Sequence, residues 1–425
     1  MNPLHISKYV KKVLYSEKEV ILFNTLNSAV VLVPVECLNH ISTINEEELH
    51  ALMEMDFFIT DSEVEQRISD QIDNFRPEMF NVIIEMTSSC NFKCLYCYQN
   101  DWDKGTEISC ETIECCTQYI ERCILERGFK AVGVSFFGGE PLLVKDKIYY
   151  AYEKIKEVCK RYCVDLVVEV TSNAYFLDRE FLEHFEQINF LTTLSRREDY
   201  ISKRNWITNE CIYDEILHNI MSCKSLFMSG QYQLGIRYNV DNKNIGEFGQ
   251  FLGELNDKGI TAKVTTSYTY EHTKNDYYNL LSFGEYKKWN ASTAINELIG
   301  HGFYAYQAPK NSIVVCDGYY PYSIKVFSNG TLGLCNASVD LNSIRGNIRE
   351  ICENIDRVAE IFPEKKENLI LNEPCAKCRE KCLCGGVRFC RQHSMCEYNE
   401  IDIETFLKTY IDLVKNGTDG MLKWN

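Results

Sequence analysis

Three cysteines in the first quarter of the chain have the type and the spacing of metal ligands. Cys90, Cys94 and Cys97 form a Cys-x3-Cys-x2-Cys pattern that follows an apolar run at residues 80 to 86. A short loop after a buried strand can direct three thiolates onto one iron-sulfur cluster. A four-iron cluster then keeps one iron open to another ligand, as a catalytic metal site requires. The alternative is that the three cysteines are small apolar side chains scattered in the core.

Length, composition and charge limit the class of protein. The chain has 425 residues, which allows two or three domains, and its 45% apolar and 25% charged residues are ordinary globular values. A net charge of -16 argues against nucleic acid as a partner. We find no signal peptide and no apolar run of membrane-spanning length, so we expect a cytoplasmic protein with no membrane partner. In a reducing compartment, 21 cysteines favour metal binding over disulfide bonds.

The order of the apolar segments predicts an α/β fold. From residue 80 onward, predicted strands alternate with predicted helices. This alternation predicts a parallel sheet curved into a partial (β/α)6 TIM barrel, with ligands at the carboxyl ends of the strands. We expect strands at 80–87, 131–137, 166–172, 190–195, 232–241 and 261–269. We expect helices at 108–127, 146–162, 178–187, 208–224, 246–258 and 283–300.

Two short polar motifs follow the second and third predicted strands. The second strand ends in Gly138, Gly139, Glu140 and Pro141. Paired glycines let a backbone approach a ligand closely, and their carbonyls or the Glu140 carboxylate could hold an ammonium group. The third strand ends at Ser172 and Asn173, whose side chains could bind sugar hydroxyls. A simple turn is the alternative at both places.

These motifs, in this order, resemble those of the radical S-adenosylmethionine (SAM) enzymes. The resemblance implies that Cys90, Cys94 and Cys97 hold a [4Fe-4S] cluster whose open iron binds SAM. One electron from the cluster would cleave SAM to a 5'-deoxyadenosyl radical. The resemblance also implies that Tyr96 lies beside the adenine. The Gly-Gly-Glu-Pro motif would meet the amino group of SAM, and the motif of the third strand would meet its ribose.

The fourth and fifth strands match this family less closely. Where relatives often have Ser-(Leu or Ile)-Asp-Gly, this chain has Leu194-Ser195-Arg196-Arg197, so only Ser195 carries over. Substrate handling at this strand therefore cannot be inferred from relatives. Arg196 and Arg197 could bind an acidic peptide, but a solvated rim is the simpler interpretation. On the fifth strand, Arg237 is an inward-facing candidate for the carboxylate or ribose of SAM, with a surface ion pair as the alternative.

Cysteines become frequent again from about residue 306. The pattern Cys316, Gly330, Cys335 and then Cys375, Cys378, Cys382, Cys384, Cys390 and Cys396 resembles the SPASM extension of peptide-modifying radical enzymes. Relatives usually have three residues where five separate Cys384 from Cys390. The resemblance implies two auxiliary clusters, and so three [4Fe-4S] clusters in all. One would be held by Cys375, Cys378, Cys384 and Cys396. The other would be held by Cys316, Cys335 and Cys390, with an iron open to a substrate thiolate. Cys382 is left without a role, and zinc is the rival metal for the later set.

The first 75 residues predict a small module ahead of the barrel. Short strands are expected near 12–14, 20–24, 29–34 and 57–59, with helices at 47–55 and 62–74. A cap on the barrel is one interpretation. The other is a winged-helix-like domain that docks the leader of a precursor peptide by strand addition, as many peptide-modifying radical enzymes do. The predicted domains are therefore 1–75 for docking, 76–305 for the radical SAM barrel and 306–425 for the SPASM domain.

Taken together, the resemblance implies a radical SAM maturase of ribosomally made (RiPP) precursor peptides. A carbon-sulfur thioether crosslink is the leading reaction, because an open auxiliary iron gives a peptide thiolate a place to bind. The alternatives are an anaerobic sulfatase maturase that makes formylglycine, a peptide epimerase and a carbon-carbon crosslinking enzyme. The 89 residues before Cys90 favour the docking type over the sulfatase maturase. A reducing partner such as flavodoxin or ferredoxin is also expected. A metal-bound scaffold or an electron carrier is the non-enzymatic alternative, although neither has need of SAM motifs.

Overall fold

The structure is a computed structural model, and it describes most of the chain. The described residues are 6–39, 44–97, 99, 105–205, 212–269, 280–309, 311, 313, 323–335, 344–363, 370, 375–384 and 402–424. They form a small antiparallel sheet, a large mixed sheet and a two-stranded ribbon. None of the described helices combines the length and the apolar character that crossing a bilayer demands.

The N-terminal module is an antiparallel sheet followed by three helices. Its elements are β1 (Val10–Leu14), β2 (Glu19–Asn24), β3 (Val30–Pro34), α1 (Glu36–Asn39), α2 (Glu46–Glu54) and α3 (Asp61–Asn74). The strand order is β1-β2-β3, and capping boxes begin α2 at Asn45 and α3 at Thr60. The three first predicted strands and both predicted helices are present. The strand predicted at 57–59 is wrong: the Phe57 N–H bonds to the Leu52 carbonyl, so this segment is the turn that ends α2.

A nine-stranded sheet forms the centre of the molecule. Its strands are β4 (Met79–Thr87), β6 (Ala131–Gly138), β7 (Asp165–Ser172), β8 (Ile188–Thr193), β10 (Tyr232–Val240), β11 (Lys263–Tyr268), β12 (Ser323–Val326), β13 (Thr331–Gly333) and β14 (Arg345–Asn347). The order is β11-β10-β8-β7-β6-β4-β12-β13-β14, in which the first seven strands are parallel and the last two antiparallel. The six predicted strands are present, in an arrangement consistent with a partial barrel. The sequence did not predict β12, which adds a seventh parallel strand beside β4. The ribbon pairs β5 (Lys93–Cys94) with β9 (Arg204–Asn205).

Helices connect the strands and cover one face of the sheet. They are α4 (Cys110–Arg127), α5 (Lys145–Arg161), α6 (Arg179–Glu183), α7 (Arg197–Lys203), α8 (Ile212–Ser222), α9 (Lys224–Phe227), α10 (Phe248–Asp257), α11 (Phe283–Asn290), α12 (Thr293–Gly300), α13 (Ile348–Ile351), α14 (Arg357–Ile361), α15 (Lys381–Cys384) and α16 (Ile403–Asn416). The single helix predicted at 283–300 is two helices. Ser292 leaves helical geometry (φ -136°, ψ -76°), and its hydroxyl donates to the Lys288 carbonyl instead.

The parallel strands have a helix-covered face and a concave face. On β10, Leu234, Ile236 and Tyr238 are buried, and the Tyr238 ring lies 5.0 Å from the rings of Phe248 and Phe251 on α10. Side chains alternate along a strand, so Arg237 points to the opposite, concave face. The carboxyl ends of the strands and this concave face are where a ligand can be held.

Candidate active site

The loop that carries Cys90 is fixed to the end of β4 by hydrogen bonds. The Thr87 hydroxyl donates to the Thr106 carbonyl (3.0 Å) and accepts the Ser89 N–H (3.1 Å). The Cys90 Sγ accepts the N–H of Phe92 at 3.3 Å, which is a bond that favours a thiolate. Burial nevertheless raises the pKa of the Cys90 thiol to about 12. A cationic metal centre supplies the positive charge that reverses this effect, so the thiol suits a metal ligand.

The paired glycines of β6 lie directly against the residues that precede Cys90. The Gly139 N–H donates to the Thr87 carbonyl (2.9 Å), and the Glu140 N–H donates to the Ser89 carbonyl (2.8 Å). A Cβ on Gly138 would stand 2.3 Å from the Thr87 oxygen, and one on Gly139 would stand 2.2 Å from the Ser89 oxygen. Gly138 also has φ +147°. Glycine is therefore required for this close approach.

Glu140 joins this motif to the end of β7. Its carboxylate is fully buried and accepts hydrogen bonds from the Ser172 hydroxyl (2.7 Å), the Leu142 N–H (2.9 Å) and the Asn173 N–H (2.7 Å). The sequence offered either Glu140 or the glycine carbonyls for an ammonium group. The observed hydrogen bonds favour the carbonyls, because both oxygens of Glu140 already hold the chain together.

Asn173 in turn joins β7 to the cysteine loop. Its Nδ2 donates to Asn91 Oδ1 at 2.8 Å, and its Oδ1 accepts the Tyr175 N–H at 2.9 Å. The Nδ2 of Asn91 is buried and has no hydrogen-bond partner among the residues that the structure describes. A buried, unsatisfied donor beside Cys90 fits a ligand with an acceptor atom at this position. The residues present therefore fit a cluster with a polar cofactor, whereas contact of Ser172 and Asn173 with a ribose stays a prediction.

The other predicted site residues lie at different distances from this centre. Tyr96 is half-buried in the turn between Cys94 and Cys97, and Pro141 begins the short 3-10 turn that leads into α5. Ser195 is buried just after β8, and Arg237 lies on β10. The Leu194 N–H donates to the Arg237 carbonyl (3.1 Å), so the residue before Ser195 lies beside Arg237, just beyond the end of β8. The structure thus brings the first three motifs together at β4, β6 and β7, and places Ser195 and Arg237 farther along the sheet.

The two arginines after Ser195 belong to surface ion pairs. Arg196 is paired with Glu247 (3.3 Å) and Glu254 (3.2 Å). Arg197 is paired with Asp214. This agrees with the rim interpretation, because each guanidinium already has carboxylates of the same chain.

The sequence analysis missed a buried lysine on the concave face. Lys325 on β12 is fully buried, and its Nζ lies 4.4 Å from the centre of the Phe327 ring and 5.6 Å from that of Phe137. Burial lowers the pKa of its ammonium group to about 8. Its neighbour Glu85 on β4 accepts the Ser328 hydroxyl at 2.9 Å. No motif signals this pair, because β12 has only four residues and sits outside the predicted barrel.

The second group of cysteines is only partly described. Cys375 begins a 3-10 turn, the Cys378 N–H bonds to the Cys375 carbonyl (2.8 Å), and the Cys378 Sγ accepts the Glu380 N–H (3.4 Å). Cys384 ends α15, and Cys335 follows β13. Cys316, Cys390 and Cys396 lie outside the described residues. The N–H···S bond at Cys378 has the geometry found at Cys90, so the described part fits a thiolate ligand loop.

Cys382 differs from these cysteines. It is fully buried against Tyr9, Leu26 and Val64 of the N-terminal module, and it is hydrogen-bonded to Thr25. Burial raises the pKa of its thiol to about 11.

Within the described ranges, no three His, Cys, Asp or Glu side chains are grouped to hold a metal ion. Ligands of a four-iron cluster bind different irons, so they need not converge as the ligands of one ion do.

Comparison with protein families identifies the central domain. Residues 84–228 match the model of the Radical SAM superfamily. The match includes the Cys90 loop, the glycine pair of β6 and the end of β7. The chain therefore contains a radical SAM domain, which implies SAM and a [4Fe-4S] cluster.

Known proteins resemble the chain in part of the sequence and in the fold. A probable GTP 3',8-cyclase of Pyrococcus horikoshii is 29% identical over 189 residues, which are 44% of this chain and only 56% of that relative. A GTP 3',8-cyclase of Nautilia profundicola is 32% identical over 25% of this chain and 31% of its own length. The structure of native anSMEcpe with bound AdoMet and Kp18Cys peptide has a TM-score of 0.58 at 16% identity, covering 80% of this chain and 99% of that one. Streptococcus suis SuiB bound to S-adenosylmethionine has a TM-score of 0.51 at 13% identity, covering 89% and 94%. At these identities the two structures establish likeness of fold.

Proposed function

We propose that the protein is a radical SAM maturase that forms a thioether crosslink in a ribosomally made precursor peptide. The observation that carries the radical chemistry is the meeting of the Cys90 loop, the glycine pair and Asn173 at the ends of three adjacent strands. In addition, the anSMEcpe structure of similar fold holds both AdoMet and a peptide. A barrel of this kind can therefore present SAM and a peptide to each other.

In this proposal the chain's residues have distinct tasks at the radical site. Cys90, Cys94 and Cys97 hold the cluster, and the glycine carbonyls face the ammonium group of SAM. Asn91 Nδ2 is the buried donor that the cofactor would satisfy. When bound beside the reduced cluster, SAM supplies a 5'-deoxyadenosyl radical that removes a hydrogen atom from the peptide. The concave face keeps the reacting carbon near this radical and away from water.

The N-terminal module is suited to hold the leader of the precursor. In the described part of the chain, β3 pairs with β2 alone, so its second edge is open. The Asn24 N–H donates to the Ala29 carbonyl, and the Val35 N–H donates to the Lys18 carbonyl. Together with the register of β2 and β3, these bonds determine which N–H groups of β3 face β2. The N–H groups of Val30 and Leu32 therefore point to the open edge, and Pro34 has none. An extended leader can add as a fourth strand there, which raises the local concentration of its core segment.

The crosslink itself needs an acceptor for an electron. Joining the thiol sulfur to carbon removes one carbon-bound hydrogen atom, one thiol proton and one electron. The hydrogen atom goes to the adenosyl radical and the proton to solvent. Cys375, Cys378, Cys384 and Cys396, or Cys316, Cys335 and Cys390, would hold an auxiliary [4Fe-4S] cluster, and such a cluster would supply the acceptor for this electron. A flavodoxin or ferredoxin would reduce the radical cluster.

The test uses anaerobically reconstituted protein with SAM, dithionite and candidate precursors. A cysteine-containing precursor should lose two hydrogens in mass, lose its free thiol and yield one 5'-deoxyadenosine per crosslink. The same precursor with Cys replaced by Ser is the control. Loss of two hydrogens from the serine peptide with formation of an aldehyde would instead indicate the formylglycine reaction. Deuterium uptake without loss of mass would indicate epimerisation, and two fewer hydrogens with the thiol intact would indicate a carbon-carbon crosslink.

Cyclisation of GTP is a second candidate, favoured by the 29% identity to the Pyrococcus horikoshii relative. That match covers 44% of this chain, so it speaks for the shared cofactor domain more than for the substrate. Incubation of the reduced holoenzyme with GTP and SAM separates the two proposals. GTP consumption coupled to 5'-deoxyadenosine would support the cyclase and contradict the maturase.

A further inference from the structure

A buried ammonium group joins the N-terminal module to the second cysteine loop. Lys381 is only 2% exposed, and its Nζ donates to the Ala376 carbonyl at 2.9 Å. The same Nζ pairs with Glu65 Oε2 at 2.5 Å. Ala376 lies between Cys375 and Cys378, while Glu65 lies on α3 of the N-terminal module. The Lys381 side chain thus bonds both to the turn that carries Cys375 and Cys378 and to α3 of the N-terminal module.

The position of Glu65 is itself determined by the module. The Tyr9 hydroxyl donates to Glu65 Oε1, and Lys8 Nζ stands 3.6 Å from the same oxygen. Burial acts to raise the pKa of Glu65, but the hydrogen bonds from Lys381 and Tyr9 lower it below its ordinary value. The carboxylate is therefore charged at neutral pH. Lys381 is buried, whereas the Glu65 side chain is 40% exposed. Removing the Glu65 carboxylate would therefore leave the buried ammonium group without its counter-charge.

A neighbouring ion pair provides a natural comparison. Lys11 Nζ lies 2.6 Å from Glu380 Oε1 across the same interface, but the two side chains are 31% and 36% exposed. Water reaches both charges of this pair, whereas in the Lys381–Glu65 pair it reaches only the carboxylate, since Lys381 is 2% and Glu65 40% exposed. The contribution of the Lys11–Glu380 pair is therefore small. Among the described residues, the Lys11 side chain forms no hydrogen bond with the turn from Cys375 to Cys378.

We propose that Lys381 is a positioning residue for the auxiliary cluster ligands Cys375 and Cys378, and that Glu65 holds it in place. The inference rests on the auxiliary cluster of the proposed function. Its consequence is that the N-terminal module is part of the auxiliary site as well as a docking surface. The geometry of the turn depends on the donor to the Ala376 carbonyl, because this hydrogen bond joins the turn to the first residue of α15.

The experiment compares full-length, anaerobically reconstituted variants by iron content and by the electron paramagnetic resonance (EPR) spectrum after reduction. Lys381→Met should lose about a third of the iron, corresponding to one of three clusters, with its EPR signal. Lys381→Arg should keep both, because a guanidinium can donate to the carbonyl and to Glu65. Glu65→Gln should lose part of its iron. We expect this as a faster loss of iron during gel filtration than the unmodified protein shows. The control, Lys11→Gln, should match the unmodified protein.

The double variant Glu65→Gln, Lys381→Met separates positioning from charge balance. If Lys381 positions the turn, removing both charges does not restore the iron, because Ala376 still lacks its donor. Restored iron in the double variant would overturn the proposal, as would full iron in Lys381→Met or an equal loss in Lys11→Gln. Loss of every cluster from Lys381→Met would also overturn it, in favour of a general folding role. These readouts need no peptide, so a failure of the maturase proposal is visible separately, as unmodified precursor with normal iron.

Discussion

The two cysteine loops use the same local chemistry but are held by different parts of the molecule. In each, a cysteine sulfur accepts the N–H of the second residue after it, at 3.3 Å for Cys90 and 3.4 Å for Cys378. The Cys90 loop is held by backbone hydrogen bonds from β6, the next strand of the same sheet. The turn at Cys375 and Cys378 is held by the Lys381 side chain, whose carboxylate partner lies 316 residues away in the chain.

Because different contacts hold the two loops, we expect the loops to respond differently to amino-acid substitutions. The backbone hydrogen bonds that hold the Cys90 loop require an approach so close that a Cβ on Gly138 or Gly139 would clash with it. The buried Lys381 ammonium group depends on its partner Glu65, and so on the N-terminal module that supplies this carboxylate. SAM cleavage should therefore be sensitive to added volume near Gly139, and the proposed auxiliary site should be sensitive to changes in the N-terminal module.

The largest effect is expected from removing the radical-site ligands. The triple variant Cys90→Ala, Cys94→Ala, Cys97→Ala should lose about four of about twelve irons and all cleavage of SAM. The reason is that SAM needs the open iron as both anchor and source of the electron. Iron analysis and 5'-deoxyadenosine formation are the measurements. Cys159→Ala on α5, a buried cysteine away from the loop, is the control and should keep both, whereas SAM cleavage by the triple variant would refute the assignment.

The second-largest effect on SAM cleavage is expected from adding one methyl group at Gly139. Gly139→Ala places a Cβ 2.2 Å from the Ser89 oxygen, so the strand or the Cys90 loop must move. A displacement of about 1 Å at a reacting centre costs about a hundredfold in rate, so SAM cleavage should fall by about that factor. Gly284→Ala on α11, where a Cβ meets nothing within 4 Å, is the matched control and should leave the rate unchanged. Equal rates for the two variants would show that the glycine contact does not hold the site.

The sequence predicted the central sheet and the meeting of its motifs well, for a physical reason. Strands such as β4 and β6 are buried on the helix-covered face, so their apolar patterns are strong. Parallel strands also end at one edge, which brings the loops after β4, β6 and β7 together whatever the details of packing. The Cys90 loop and the Gly-Gly pair are therefore predictable from order along the chain.

Contacts between distant segments were not predictable in the same way. Lys325 lies on a four-residue strand. Lys381 lies in a cysteine-rich stretch in which the spacing of the cysteines indicates ligands but nothing marks the lysine. From the sequence alone a lysine is expected to be exposed, because its burial depends on a partner from a distant part of the chain. The hydrogen bonds that Glu140 accepts from Ser172 and Asn173 were likewise not predictable, since they depend on the neighbouring strand.

A moderate effect is expected at the open edge of β3. Leu32→Pro removes an N–H that points away from β2, so the module keeps its own pairing but cannot complete an added strand. Losing one or two main-chain hydrogen bonds to a leader should raise KM for the precursor by about tenfold, with kcat nearly unchanged. Leu32→Val keeps the N–H and is the control. Steady-state kinetics with precursor and with leaderless core peptide make the measurement. A similar rise in KM for the leaderless peptide would exclude docking at this edge.

The smallest effect on the metal is expected at Cys382, which we compare with a proposed cluster ligand from the same cysteine-rich segment. Its thiol is buried among Tyr9, Leu26 and Val64 of the N-terminal module and is hydrogen-bonded to Thr25. These contacts are those of a packing group, so Cys382→Ala should keep all the iron and lose about 1 kcal/mol of stability. Cys378→Ala, four residues earlier, should lose about a third of the iron. Iron content and the denaturation midpoint are the measurements, and the two variants are prepared side by side. Loss of iron from Cys382→Ala would make it a ligand after all, and the Thr25 contact would then have to break when the cluster binds.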